Sequence, residues 1–275
     1  MKELLKIEWL KLKSYRAFWI MVGLYLAILF SIIIGLPSFL DFLAQKTNDN
    51  VYINAFKIVA FNFADIWQNI AYVAGWRWSI KIFLALLVLI FISNEFTFLT
   101  IRSNIMHGLS RTQFMLGKLS VVFLLTLIST VALFVAGMYL GLMFSATKTI
   151  GAIFGRIYFL GAYFLELFTY LTFALLIGLL IRKTGFAIIT LLSYNFLELI
   201  LQYYVNDDYQ KFLPVNAING IITGVNSSML KVKTPEFDMS MILQEHLSPL
   251  SIGVCLAYLA LFLGAIYLYL KWRDL

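Results

Sequence analysis

The chain has 275 residues, 62% of them hydrophobic and only 13% charged, with a mean hydropathy of +0.89. A soluble domain carries about 25% charged residues, so a water-soluble enzyme or binding module is excluded, and the apolar runs reach the roughly 20 residues that a bilayer-crossing helix needs. The formal charge of +7 fits basic residues gathered on the cytoplasmic side of a membrane protein and gives no reason to expect a nucleic-acid partner.

Residues 1–16 predict a helix lying along the membrane surface. On a helical wheel Lys2, Lys6 and Lys13 share one face while Leu5, Trp9 and Leu12 share another. Lys2, Lys6, Trp9 and Lys13 are its interfacial anchors, and Glu8 and Lys11 interrupt its apolar side. Residues 17–36 carry no charge; they are too long for a signal-peptide core and lack a cleavage site, so they form a retained first span. A second span, about 78–94, has Lys81 near one end, where a long side chain can snorkel, with Trp76 and Trp78 in the aromatic belt. Spans at about 119–144, 157–181, 184–205 and 249–270 follow. The fold class is an all-α membrane protein of six transmembrane helices in one domain, 1–275, with both termini on one side.

Basic residues orient it. With the termini inside, the inner segments hold 12 Lys and Arg in 47 residues and the outer segments hold 9 in 100, so the termini are placed in the cytoplasm. The two long outer segments, 37–77 and 206–246, are aromatic and poor in turn residues; short helices lying on or dipping into the outer interface are expected there.

Two glutamates fall inside spans, Glu166 and Glu198. A charge at mid-membrane costs about 2.5–3.5 kcal/mol, so both should face the interior, a cavity or a polar partner, and they are candidates for the translocation pathway. If the fourth and fifth spans form a hairpin turning at Arg182–Lys183, residues of equal depth have numbers adding to about 365. Glu166 and Glu198 then share a level nearer the outer face. Two close carboxylates suit a proton or cation step; the plainer reading gives each its own partner, such as Tyr170, Tyr194 or Asn195. Gly137, Gly141 and Ser145 form a small-residue stripe that permits close helix contact, most simply within the chain. One cysteine, Cys255, and two separated histidines, His107 and His246, provide neither a disulfide framework nor a metal site.

The segment joining the second and third spans, 94–118, is longer than a connector needs and mixes charge with Phe96, Phe98, Leu99, Ile105, Met106, Leu109 and Phe114. It reads as a docking surface. Gly108 breaks it, and Ser110 is suited to cap the helix that follows. The order Asn94-Glu95-Phe96, Thr100-Ile101-Arg102, Gly108-Leu109-Ser110-Arg111, Gly117-Lys118, together with the basic start Glu8-Trp9-Leu10-Lys11-Leu12-Lys13, resembles the permease subunits of type-2 ABC exporters, which include small six-span permeases of bacteriocin immunity and drug resistance.

That resemblance implies an N-terminal elbow helix and a cytoplasmic coupling helix between spans 2 and 3 that seats in a separate ABC ATPase subunit. Glu95, Arg102, Gly108, Ser110, Arg111 and Lys118 would belong to that coupling region. It further implies a dimer, with a second copy or a related permease, in a bacterial cytoplasmic membrane. The chain has no phosphate-binding loop of its own, since Gly117-Lys118 is followed by Leu119 and preceded at the critical position by Thr112. It is therefore not expected to be an enzyme or to hold a cofactor directly; ATP-Mg would bind the partner. Two other readings remain open: a proton- or cation-coupled secondary transporter using Glu166 and Glu198, and a non-transporting anchor or sensor for an ATPase.

Overall fold

A computed structural model describes residues 2–47, 57, 60–75, 80–98, 110–224, 233–234, 237–238, 244 and 246–272. They are almost wholly helical, apart from one two-residue antiparallel pairing, Lys233–Thr234 with Phe237–Asp238. In chain order the helices are α1 (Lys2–Ser14), α2 (Arg16–Thr47), α3 (Ile66–Gly75), α4 (Lys81–Thr97), α5 (Arg111–Phe144), α6 (Ile150–Phe154), α7 (Tyr158–Ile181), α8 (Thr184–Tyr204), α9 (Asp207–Gln210), α10 (Pro214–Asn219) and α11 (Pro249–Trp272). Among the described residues five helical stretches are long and apolar enough to cross a membrane: 16–46, 111–144, 150–181, 184–204 and 249–272. The chain is a multi-pass helical membrane protein.

A helix that is apolar on every side is either packed inside protein or faces lipid, and α7 is packed inside. Most of its side chains are buried, and α3, α4, α5, α8, α10 and α11 all pack on it. By contrast α8 buries only Ala187, Leu191, Asn195 and Glu198, one stripe at helical spacing. Most of the rest of its surface is apolar and exposed, as at Phe186, Ile189, Phe196, Leu197 and Ile200. A relay of hydroxyls fastens the middle of the bundle: Ser129 Oγ lies 2.8 Å from Tyr163 Oη and is also bonded to Tyr25 Oη, joining α2, α5 and α7.

Several boundaries differ from expectation. The first long helix does not stop at residue 36 but continues through Pro37 to Thr47; the proline costs it one backbone hydrogen bond without ending it. The third begins at Arg111, because Ser110 closes a capping box in which Ser110 Oγ accepts from Gln113 N at 3.1 Å and Gln113 Oε1 accepts from Ser110 N at 2.9 Å. The α7–α8 hairpin turns at Arg182–Lys183, with Arg182 in the left-handed region at φ 61°. Asn195 Nδ2 donates to Tyr170 Oη at 3.2 Å, a pair whose numbers match the hairpin register.

The segments before α4 and after α8 enter the bundle. Helix α3 is buried from Ile66 to Ala71 and again at Ala74 and Gly75, and α10 buries Val215, Ala217 and Ile218. The small-residue stripe makes room for the first of these. A Cβ at Gly137 would stand 2.7 Å from Ile70 and Trp67, one at Gly141 would collide with Phe63, and Ser145 Oγ accepts from Phe63 N at 3.2 Å. Trp67 Nε1 donates to Ile153 O at 2.6 Å and Arg156 pairs with Asp65 at 3.0 Å, holding α3 at the α6–α7 corner.

Candidate functional site

Two charge clusters stand at opposite ends of α4. At the end carrying α1 and the close of α11, Lys118 Nζ binds both oxygens of Glu8 at 3.0 and 2.9 Å and Glu95 Oε1 at 2.5 Å, and Lys11 reaches Glu95 Oε1 at 3.0 Å. Two acids and two bases make the cluster neutral. Lys118 is 2% exposed, with the rings of Phe91 and Phe114 centred 4.4 and 5.3 Å from its ammonium, where cation–π attraction adds to the ion pairs. Glu8 and Lys11 are thus no blemish on the apolar face of α1. Beside buried Leu12, they are the side chains that dock it on α4 and α5.

The coupling-region residues lie as follows. Glu95 and Lys118 are turned into this cluster. Ser110 caps α5, and Arg111 Nη1 donates to Leu270 O at 2.9 Å and to Lys271 O, closing the end of α11, where carbonyls lack helical partners and a cation is favoured. Trp9 and Lys13 are exposed, and Trp9 meets Trp19 edge-on with centroids 6.1 Å apart. The roles expected of the Lys2 and Lys6 side chains, and of Arg102 and Gly108, lie outside the described residues.

The far-end cluster is built around Lys81. Its ammonium is buried, pairs with Glu166 Oε1 at 2.6 Å, and donates to Gly75 O and to Asn219 Oδ1. Lys81 does not snorkel. The carbonyl ending α3, the amide ending α10 and the carboxylate of α7 give it three acceptors inside the protein. The arrangement follows from helix direction. Asp65 meets Arg156 and Gly75 meets Glu166, while Lys81 meets Glu166, Ile92 fills the space beside Gly178 and Phe96 lies under Arg182. Helices α3 and α4 therefore run one after the other along α7, in its own direction, and the ends between them face Glu166. No Cβ fits at Gly75, where it would stand 2.9 Å from both Glu166 oxygens.

Glu198 has different partners. Oε2 accepts from Val215 N at 2.9 Å and Oε1 from Asn216 N at 2.5 Å. Pro214 opens α10 and has no N–H to offer, so a carboxylate from α8 satisfies the next two amides. Each glutamate thus has its own set of donors. The Lys81 partnership, like the cluster around Lys118, is a residue-level feature absent from the sequence reading. The signal available was charge balance: one lysine in one apolar segment and one glutamate in another.

Beside the far-end cluster, a cavity of about 410 Å³ opens between α8, α10 and α11, with Gly75 and Asn219 in its wall. Among the described residues no three His, Cys, Asp or Glu side chains gather as a metal site. No family model matches the chain, and no curated protein matches it.

Proposed function

We propose that the chain is the membrane-spanning subunit of an ATP-driven exporter, of the type-2 ABC permease kind that its 94–118 pattern resembles. It works with a second copy or a related permease and is driven by a separate ABC ATPase subunit that binds ATP-Mg. On this reading α4 is the sixth crossing; its 17 residues meet the lower limit for a span. Helix α1 is the elbow, the segment between α4 and α5 is the coupling region, and the end bearing both termini faces the cytoplasm across a bacterial inner membrane.

The observation that carries the reading is the Glu8–Lys118–Glu95 cluster. Glu95 and Lys118 bracket the coupling segment, and both are bonded through Lys118 and Lys11 to α1. A push delivered by an ATPase to that segment would reach α1, α4 and α5 as one body. A carrier driven by protons or cations through Glu166 and Glu198 has less support, because each carboxylate is occupied by its own donors.

The test is recovery of the tagged chain from its native membrane in mild detergent, with partners identified by mass spectrometry. An ATP-binding-cassette protein that is recovered with the chain, and lost with Arg102→Glu, is the expected result. Recovery of the chain alone, with transport that survives ATP depletion and collapses with the ion gradient, would overturn it.

A further inference from the structure

A buried polar layer lies behind the wall of the far-end cavity. That wall includes Gly75, Asn219 and Ser251. Gly75 O and Asn219 Oδ1 both accept from the Lys81 ammonium, which is paired in turn with Glu166, so Lys81 stands directly behind the wall. One helical turn deeper the polar groups continue. Thr169 follows Glu166 on one face of α7, Cys255 follows Ser251 on one face of α11, and Cys255 Sγ donates to Thr169 Oγ1 at 3.4 Å. Lys81, Glu166, Thr169 and Cys255 are each no more than 1% exposed. Beyond them comes an aromatic layer: Phe173, one turn past Thr169, packs on Tyr194 and Phe262 with ring centroids 5.3 and 5.0 Å away, joining α7, α8 and α11.

The side chain between cavity and polar layer is held by one atom. Asn219 ends the six-residue helix α10. Its oxygen is bonded to Lys81, whereas its Nδ2 is buried with no acceptor among the described residues. A buried donor without an acceptor is unfavourable, so the closed position carries a cost that is relieved when the side chain turns out to water. Glu166 and Gly75 continue to serve Lys81 when it does. Water is at hand, because Gln202 in the last turn of α8 and Ser251 in the first turn of α11 set the cavity where these helices end, and exposed Lys211 and Thr223 belong to its lining.

We propose that Asn219 is a gate. Turned onto Lys81, as in this structure, it closes the cavity. Turned into the cavity, it admits water to Lys81, Glu166, Thr169 and Cys255, a polar layer able to hold it, and the aromatic layer stops the water there. The cavity thereby deepens by one helical turn, about 5 Å. As the outer gate of a translocation path this inference rests on the exporter reading; as a barrier within the protein it is tested without an ATPase, so the two can fail separately.

Cys255 is the one cysteine of the chain and serves as a native reporter. The full chain in mild detergent is treated with a water-soluble methanethiosulfonate, and modification is followed by intact mass. Slow reaction is expected in the wild type. Asn219→Ala removes the gate and leaves the Lys81–Glu166 pair; it should speed the reaction about ten-fold or more, the scale of one lost hydrogen bond. Asn219→Asp has the same size and keeps an oxygen for Lys81, so its rate should stay at or below that of the wild type. Ser251→Trp, added to Asn219→Ala, obstructs the cavity and should restore the slow rate. Tyr25→Phe, which loosens the hydroxyl relay elsewhere in the bundle, should leave it unchanged. A wild-type rate in Asn219→Ala would overturn the proposal, as would an acceleration that survives Ser251→Trp or is matched by Tyr25→Phe.

Discussion

The ammonium of Lys81 and the carboxylate of Glu166 meet at 2.6 Å between two helices that run side by side in the same direction. Their pairing ties the end of α3, the start of α4 and the end of α10 to the central helix α7. Both side chains are essentially unexposed, so neither charge can be compensated by water if the other is removed.

Lys81→Met alone, or Glu166→Gln alone, is therefore expected to cost about 3–5 kcal/mol, the penalty for leaving one buried charge unpaired. The double variant Lys81→Met, Glu166→Leu should recover most of that loss. Thermal unfolding in detergent of the wild type, the two singles and the double gives the coupling directly; additive losses would mean that the pair does not act as a unit.

Gly75→Ala tests the same site through space alone. The added methyl would stand 2.9 Å from Glu166, pushing the carboxylate off Lys81, and overpacking of this kind costs about 1–3 kcal/mol. In a Lys81→Met, Glu166→Ala background the same change should be close to neutral in the unfolding midpoint.

Glu198→Ala leaves the amides of Val215 and Asn216 without an acceptor at the start of α10. A cost of about 1–3 kcal/mol is expected, with Glu198→Gln retaining part of the stability because one carbonyl oxygen remains. Hydrogen exchange at Val215 and Asn216 is the specific readout; unchanged protection in the alanine variant would contradict the capping role.

Lys118→Met removes the hub of the cluster that docks α1. Helix α1 should then exchange its amides faster and become open to protease, while Lys13→Gln, at an exposed position on the same helix, should change neither. Because Lys118 is buried, added salt is expected to have little effect on the wild type.

Arg111→Glu should fray the end of α11, because it replaces a donor to the Leu270 and Lys271 carbonyls with an acceptor facing the negative end of a helix. Carboxypeptidase trimming reports the fraying. Loss of a partner in this variant would have to be separated from that local damage, which is why Arg102 is the better site for testing docking.

The parts of the fold that could be read from the sequence were those set within one element or one tight turn. Ser110 was suited to cap the helix that follows it, and the Arg182–Lys183 turn gave a register that the Tyr170–Asn195 hydrogen bond follows. Long uncharged runs gave the long helices, although α5 starts at Arg111 rather than 119 and α2 ends at Thr47 rather than 36. What could not be read was which charge faces which. Glu8 and Lys11 look like defects in an amphipathic face until Glu95 and Lys118 stand opposite them, 84 and 110 residues away. Lys81 looks like an interfacial residue for the same reason. Short helices were expected in the segments that hold α3 and α10, but not their burial in the bundle, since short apolar stretches have the same composition whether they lie on a bundle or inside it.

The Lys81–Glu166 pair also bears on how the chain is made. Glu166 is synthesised 85 residues after Lys81, which at ribosomal rates of about 5–20 residues per second is a delay of roughly 4–17 s. During that interval the lysine heads a short helix whose counter-ion does not yet exist, and lipid charges about 2.5–3.5 kcal/mol for an unpaired cation. Helix α4 is thus a poor candidate for release into the bilayer by itself. On the reading in which α4 is a crossing, it is expected to be retained until α7 emerges, so that the two helices leave for the membrane together.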